Sequence, residues 1–200
     1  MIAETYSAGL VSQSFWFVEM KNIVKLLNED KSAEEIKRLC IEENFFGAAN
    51  EYRAKRMYGY IWSRAKKLDK TLIDLFLTSD LATQKIVNLL TVLRSDRLFF
   101  EFMFEVYREK NILGLRELEE ADLNIFFKNK EIQSEDIANW ADNTKRRLRS
   151  IYVNYLTDAN LITIVDKKRM ITPPILDTAL ERYLKDCGDG AIIKAITGVS

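Results

Sequence analysis

The residues with the most chemistry to offer lie between Thr144 and Pro174, in the stretch TKRRLRSIYVNYLTDANLITIVDKKRMITPP. Lys145, Arg146, Arg147 and Arg149 form one basic group, and Lys167, Lys168 and Arg169 form another a helix length later. Cations of this kind neutralise phosphates and set affinity for a nucleic acid. Asn143, Ser150 and Asn154 recur on the same helix face as Arg146 and Arg147, and their side chains carry donors and acceptors able to read base edges. The chemistry offered is recognition, with no bond made or broken.

Catalysis finds little support. The chain has no histidine, which removes Ser-His-Asp and Cys-His nucleophile pairs and the commonest metal ligand. No GxxxxGK[ST] or GxGxxG run is present, so no phosphate-cradling loop is expected. The acidic cluster Glu117, Glu119, Glu120 and Asp122 is the one candidate for carboxylate-held magnesium. It reads better as an acidic first turn matched to the positive end of a helix dipole. Neither a catalytic residue, a metal site nor a cofactor is expected, and the protein is read as a non-enzyme. Cys40 and Cys187 lie too far apart in sequence to suggest a framework, and two reduced thiols fit a cytoplasmic protein. No signal peptide or membrane-spanning stretch is visible.

The elements that must position the basic residues follow from periodicity. Leu148, Ile151, Tyr152, Tyr155 and Leu156 recur at i, i+3, i+4, i+7 and i+8, which predicts a helix over 142–159 with one buried stripe. Leu161, Ile162, Ile164 and Val165 favour a strand, Asp166 to Arg169 a charged turn, and Met170 to Thr172 a return strand that Pro173 and Pro174 end. Short helices are expected over 119–128 and after Ser134. Three helices and a basic hairpin in about sixty residues have the layout of a winged helix-turn-helix.

Upstream, the pattern is helical throughout. Helices are expected over 13–27, from the capping signal Ser32/Glu35, over 50–68, 70–77 and 80–93, and over the aromatic segment 97–110. The expected fold is therefore all-α with one short β-hairpin: a helical bundle over 1–114 and a winged helix-turn-helix with a C-terminal helix and an apolar tail over 115–200. Lys plus Arg and Asp plus Glu number 30 each, so any nucleic-acid affinity must come from segregated charge. A further basic cluster runs from Arg53 to Lys70, and its ordinary reading is a solvated helix face.

Several motifs in order resemble one family. YSAGLVSQSFWFVEM, TQKIVNLLTVLRSDRLFFEFMFEVYREK and QSEDIANWADNTKRRLRSIYVNYLTDANLI followed by PPILD are similar to the BrxA proteins of bacteriophage exclusion (BREX) systems. The resemblance implies a small non-enzymatic component of a multi-gene bacterial defence system, a helical fold with a winged-helix part, and double-stranded DNA binding. The expected partners are duplex DNA and other BREX subunits. Docking by Arg146, Arg147, Arg149, Lys167, Lys168 and Arg169 would neutralise about six phosphates and give a salt slope of roughly −5. A protein-protein adaptor that uses the winged helix as a scaffold is the alternative, and RNA binding through the Arg53 to Lys70 helix ranks behind both.

Overall fold

The computed structural model describes residues 4–198 and is mainly helical, with one two-stranded antiparallel hairpin among those residues. None of the described helices is long and apolar enough to cross a membrane. The chain divides into two compact units. One is Phe15–Thr91, and the other joins Met1–Ser14 to Val92–Ser200. Gly114, where the sequence suggests a boundary, lies inside the second.

The Phe15–Thr91 unit carries α1 (Phe17–Asn28), α2 (Ala33–Ile41), α3 (Glu51–Ala65), α4 (Lys70–Thr78) and most of α5 (Leu81–Leu93). Capping chemistry sets these boundaries. Ser32 accepts from the Glu35 amide, Asn50 from Arg53, Asp69 from Leu72 and Asp80 from Thr83, each satisfying an amide that has no partner inside its helix. The first helix starts later than the apolar pattern predicts, because Trp16 takes a left-handed φ of 48° and breaks the run. Phe15 before it is buried, and its carbonyl accepts from Asn88 at 2.9 Å and from Arg64 at 3.3 Å. Met20, Ile23, Ile36, Ile61, Leu72 and Phe76 fill the core of this unit.

In the second unit, α6 (Arg97–Phe102) runs into a π-helical turn, Met103–Tyr107, and then α7 (Arg108–Ile112). The aromatic helix expected over 97–110 is thus continuous but widened in its middle. There follow α8 (Glu120–Gln133), α9 (Glu135–Ala138), α10 (Asp142–Asp158), the hairpin strands β1 (Ile162–Val165) and β2 (Lys168–Ile171), α11 (Thr178–Asp186) and α12 (Gly190–Thr197). Ile162 pairs with Ile171 and Val165 with Lys168. A short extended segment lies along β2, with the Leu118 amide donating to Arg169 O and the Ile171 amide to Arg116 O, both at 2.8 Å. The apolar tail expected at 191–196 is a helix, α12, which buries Ile192 and Ile196 and packs on α7, α11 and the π-helical turn.

An aromatic cluster forms the centre of this unit. Tyr152 of α10 stands 4.9 Å from Phe99, 5.2 Å from Phe102 and 5.7 Å from Phe127, centroid to centroid. These separations suit offset and tilted aromatic packing. They fix α10 against α6 and α8, so its remaining face is held rigidly outward. Tyr107 of the π-helical turn donates to Leu161 O at 3.0 Å and so anchors the start of the hairpin.

Asp96 caps α6, accepting from the Phe99 amide at 2.8 Å. Burial pushes its carboxyl up to about 6, against the backbone hydrogen bonds from Phe99 and Leu98 that favour the charged form. A carboxyl raised in the folded state contributes stability that is complete below its unfolded value near 4 and is lost as pH rises through about 6. Asp96→Asn keeps the capping acceptor and removes the buried charge. The variant is expected to exceed the wild type by about 2–3 kcal/mol at pH 8 and to match it near pH 4, in urea unfolding followed by circular dichroism. A difference between the two proteins that did not vary with pH would contradict this.

Candidate nucleic-acid interface

Helix α10 buries Leu148, Tyr152, Tyr155 and Leu156, as the periodicity requires. The outward arc carries Asn143, Arg146, Arg147, Ser150 and Asn154, all exposed. Arg146 donates to the Asn143 side chain at 2.8 Å, and the Ser150 hydroxyl donates to Arg146 O at 3.3 Å. The arc is a polar surface with the guanidiniums of Arg146 and Arg147 on its two flanks and Asn143, Ser150 and Asn154 between them.

The edges of α10 are spoken for. Lys145 is only 6% exposed, and its ammonium lies 3.0 Å from Glu131 and 3.5 Å from Asp142. The hydrogen bond to Glu131 raises its pKa, so it stays charged but is not presented to a phosphate. Arg149 lies over the Phe127 ring at 5.7 Å, with its Nε buried and without a hydrogen-bond partner among the described residues. Both residues serve packing in this structure, although the sequence counts them with the phosphate contacts.

On the other edge a segment of the N-terminal motif, Gly9–Ser12, packs against α10 as a short 3₁₀ turn. Arg147 donates to Val11 O at 3.1 Å, and the Tyr155 hydroxyl donates to Ser14 O at 3.2 Å. The serine-rich motif carries no chemistry that sequence alone assigns. Its place is that of a brace along the α10 arc.

The hairpin turns in two residues rather than the four that its charges suggest. Asp166 and Lys167 both have positive φ, 48° and 66°, the signature of a type I′ turn. Lys168 and Arg169 therefore belong to β2. Lys168 pairs with Glu117 at 2.9 Å and Arg169 with Glu120 at 3.0 Å. The hydrogen bond to Glu117 raises the Lys168 pKa. Lys167 sits at the exposed tip. Asp tolerates the left-handed region, but Lys does so at a cost, so Lys167→Gly is expected to raise stability by about 0.5–1 kcal/mol. The same change removes one cation from the tip, and thermal unfolding together with a duplex titration would read the two effects separately.

The acidic cluster from Glu117 to Asp122 is engaged in capping and ion pairs. The Glu119 amide donates to Asp122 at 2.7 Å at the start of α8, while Glu117 and Glu120 meet the hairpin cations. No group of potential metal ligands occurs among the described residues. The second basic cluster lies on α3 and just beyond it, in the other unit. Arg64 there is buried, Lys55 pairs with Glu51 at 2.9 Å, and Arg56 lies 5.8 Å from the exposed Tyr52 ring.

The family model for BrxA matches residues 4–188. The chain belongs to the BrxA family. It is 35% identical over 195 residues to the BREX protein BrxA of Bacillus cereus (strain H3081.97), covering 98% of each chain. Among solved structures, an uncharacterized protein from Magnetospirillum magneticum superposes with a TM-score of 0.82 at 17% identity, covering 97% of this chain and 99% of that one. At that identity the likeness shows the fold alone. Membership of the BrxA family makes this chain a component of BREX phage defence.

Proposed function

We propose that the protein is a non-enzymatic, duplex-DNA-binding component of a BREX assembly, and that α10 enters the major groove while the hairpin tip follows the adjacent backbone. The observation that carries this reading is the outward arc of α10. Asn143, Arg146, Ser150 and Asn154 face away from the core on a helix locked by the Tyr152 cluster, with Lys167 exposed on the hairpin that follows. The order α8, α9, α10, hairpin, with the 116–118 segment lying along β2, is compatible with a winged helix-turn-helix. Arg146, Arg147, Lys167 and Lys168 would meet phosphates, and the asparagines and Ser150 would lie nearer the bases.

Fewer cations are available than the sequence suggests. Four phosphates give a salt slope of roughly −3 to −4 in place of −5. Fluorescence anisotropy of a labelled duplex, titrated at several salt concentrations, tests the reading. Affinity that did not change with salt would sink it. Tighter binding to structured RNA than to the duplex would transfer the function to the α3 cluster.

One observation favours the adaptor reading. Lys145, Lys168 and Arg169 already have carboxylate partners, which leaves the patch weakly basic. An adaptor would hold a BREX subunit without any duplex being retained, and co-purification in the absence of nucleic acid separates the two roles.

A further inference from the structure

Between Glu51 and Lys70 the chain carries seven cations against two carboxylates, although the whole sequence is neutral. Helix α3 packs on α1 and α2 and buries Ala54, Met57, Ile61, Arg64 and Ala65. At about 100° per residue, Tyr52, Arg56, Gly59, Ser63 and Lys66 fall on the opposite face, with Arg53 at its edge. The cations of this arc are not held by neighbours. Glu51 is taken by Lys55 at 2.9 Å and Asp69 caps α4, and no carboxylate of the described residues lies within ion-pair distance of Arg53, Arg56 or Lys66. Two residues on the arc do nothing for the fold. Tyr52 leaves 71% of its surface exposed, with the Arg56 guanidinium 5.8 Å from the ring centroid. Gly59 sits in mid-helix, where glycine weakens the helix relative to alanine, yet a Cβ there would meet nothing within 4 Å. A solvated helix face needs neither an open aromatic ring nor a bare stretch of backbone.

Half-buried aromatic pairs flank the arc. Tyr58 stacks on Trp62 at 5.9 Å on one side, and Tyr60 on Trp16 at 6.0 Å on the other. Cations in line with an open ring and a bare backbone match a strand of phosphates whose bases are unpaired. Every base has a π-face that a tyrosine can cover, and a glycine lets the sugar-phosphate chain approach closely. A duplex hides those faces. The arc also lacks the amides that read base edges in a groove, which α10 has in Asn143 and Asn154. Nor does it carry a free carboxylate or an amide to accept from a ribose 2′-hydroxyl, the group that would select RNA. We propose that the outward face of α3 binds single-stranded DNA, with Arg53, Arg56 and Lys66 on its phosphates and the Tyr52 ring stacked on one base. This site goes beyond duplex binding and does not rest on the α10 arc.

The test is fluorescence anisotropy on the full chain at several salt concentrations, with a labelled oligo-dT of about twelve nucleotides and an oligo-U and a duplex of the same length. Three phosphate contacts on a single strand imply a salt slope of roughly −2, so oligo-dT affinity should fall about 20-fold between 50 and 200 mM salt. Tyr52→Ala should weaken oligo-dT binding at least about fivefold with the slope unchanged, the loss of one stacked base. Arg53→Gln/Arg56→Gln should flatten the slope to roughly −1. These side chains are exposed, and a circular-dichroism melt checks that both variants fold. Both should bind the duplex as the wild type does, and Arg146→Glu/Lys167→Glu should still bind oligo-dT. No oligo-dT binding by the wild type at low salt, or affinity indifferent to Tyr52→Ala, would overturn the proposal. So would tighter binding of oligo-U, which makes the arc an RNA site, or loss of duplex and oligo-dT together in the α3 variants, which makes it a general phosphate contact. Release of oligo-dT by Arg146→Glu/Lys167→Glu would place the strand on α10 and overturn the α3 site while leaving the duplex reading intact.

Discussion

Replacing Arg146 and Lys167 together by glutamate is expected to abolish retention of duplex DNA in anisotropy titrations, while the melting temperature stays within a few degrees of the wild type. Both side chains lie at the exposed surface, and neither is tied to a carboxylate in the structure. The pair isolates charge at the interface from packing. Arg147 is a poorer target, because it also holds Val11 O, and reversing it would loosen the segment braced along α10. For the wild type, four contacts imply that affinity falls about 100-fold between 50 and 200 mM salt. The double variant should show no measurable binding even at the lower concentration. Retention within threefold of wild type would remove α10 and the hairpin tip from the interface, whatever the family relationship implies.

The largest effect on stability is expected at Lys130. Its side chain is 3% exposed, and its ammonium lies 2.6 Å from both Glu101 and Glu105. Glu101 also accepts from Arg97 at 2.7 Å and from the Tyr6 hydroxyl at 2.9 Å, so one buried carboxylate joins the N-terminal segment, α6 and α8. Burial works against the Lys130 ammonium, and its hydrogen bonds with the two glutamates outweigh that, leaving the pKa raised. Glu101 is correspondingly lowered, the ion pairs and the Tyr6 bond overcoming the burial that would raise it. Lys130→Ala strands carboxylate charge in a desolvated site and opens a hole beside Phe126, at a cost of about 3–5 kcal/mol. At about 2–4 °C per kcal/mol for a chain of this size, the melting temperature should fall by roughly 6–20 °C. Lys130→Met fills the hole and leaves only the electrostatic loss. A drop below about 1 kcal/mol for the alanine variant would mean that Arg97 and Tyr6 suffice for Glu101.

Local chemistry explains what was legible in the sequence. Ser32 reads directly as a helix cap, because a cap is a contact between residues three apart. The buried stripe of α10 and its polar arc follow from a 3.6-residue period. The hairpin follows from β-branched residues around a charged turn, although the type I′ geometry at Asp166 and Lys167 is unexpected without a glycine there.

Pairings between distant residues were not legible. Glu131 meets Lys145, Glu117 meets Lys168 and Glu120 meets Arg169, so three of a run that reads as seven free cations are paired with carboxylates from α8 and the segment before it. The left-handed Trp16 that delays α1 has no signal in composition. Ile125 and Ile132, by contrast, read directly from the period as exposed, since they stand opposite Leu123, Phe126 and Phe127, the core residues of α8.

The brace along α10 also constrains how the molecule is made. Val11 meets Arg147 across 136 positions of sequence, and Ser14 meets Tyr155 across 141, while Phe15–Thr91 forms a compact unit between them. During synthesis that inserted stretch can mature as soon as it emerges, since it forms a compact unit of its own. The surrounding unit must wait, because closing so long a loop carries its entropic cost before any contact rewards it. Val11 and Ser14 thus dock only after α10 has been made, and α10 reaches its final form when that earlier segment packs along it.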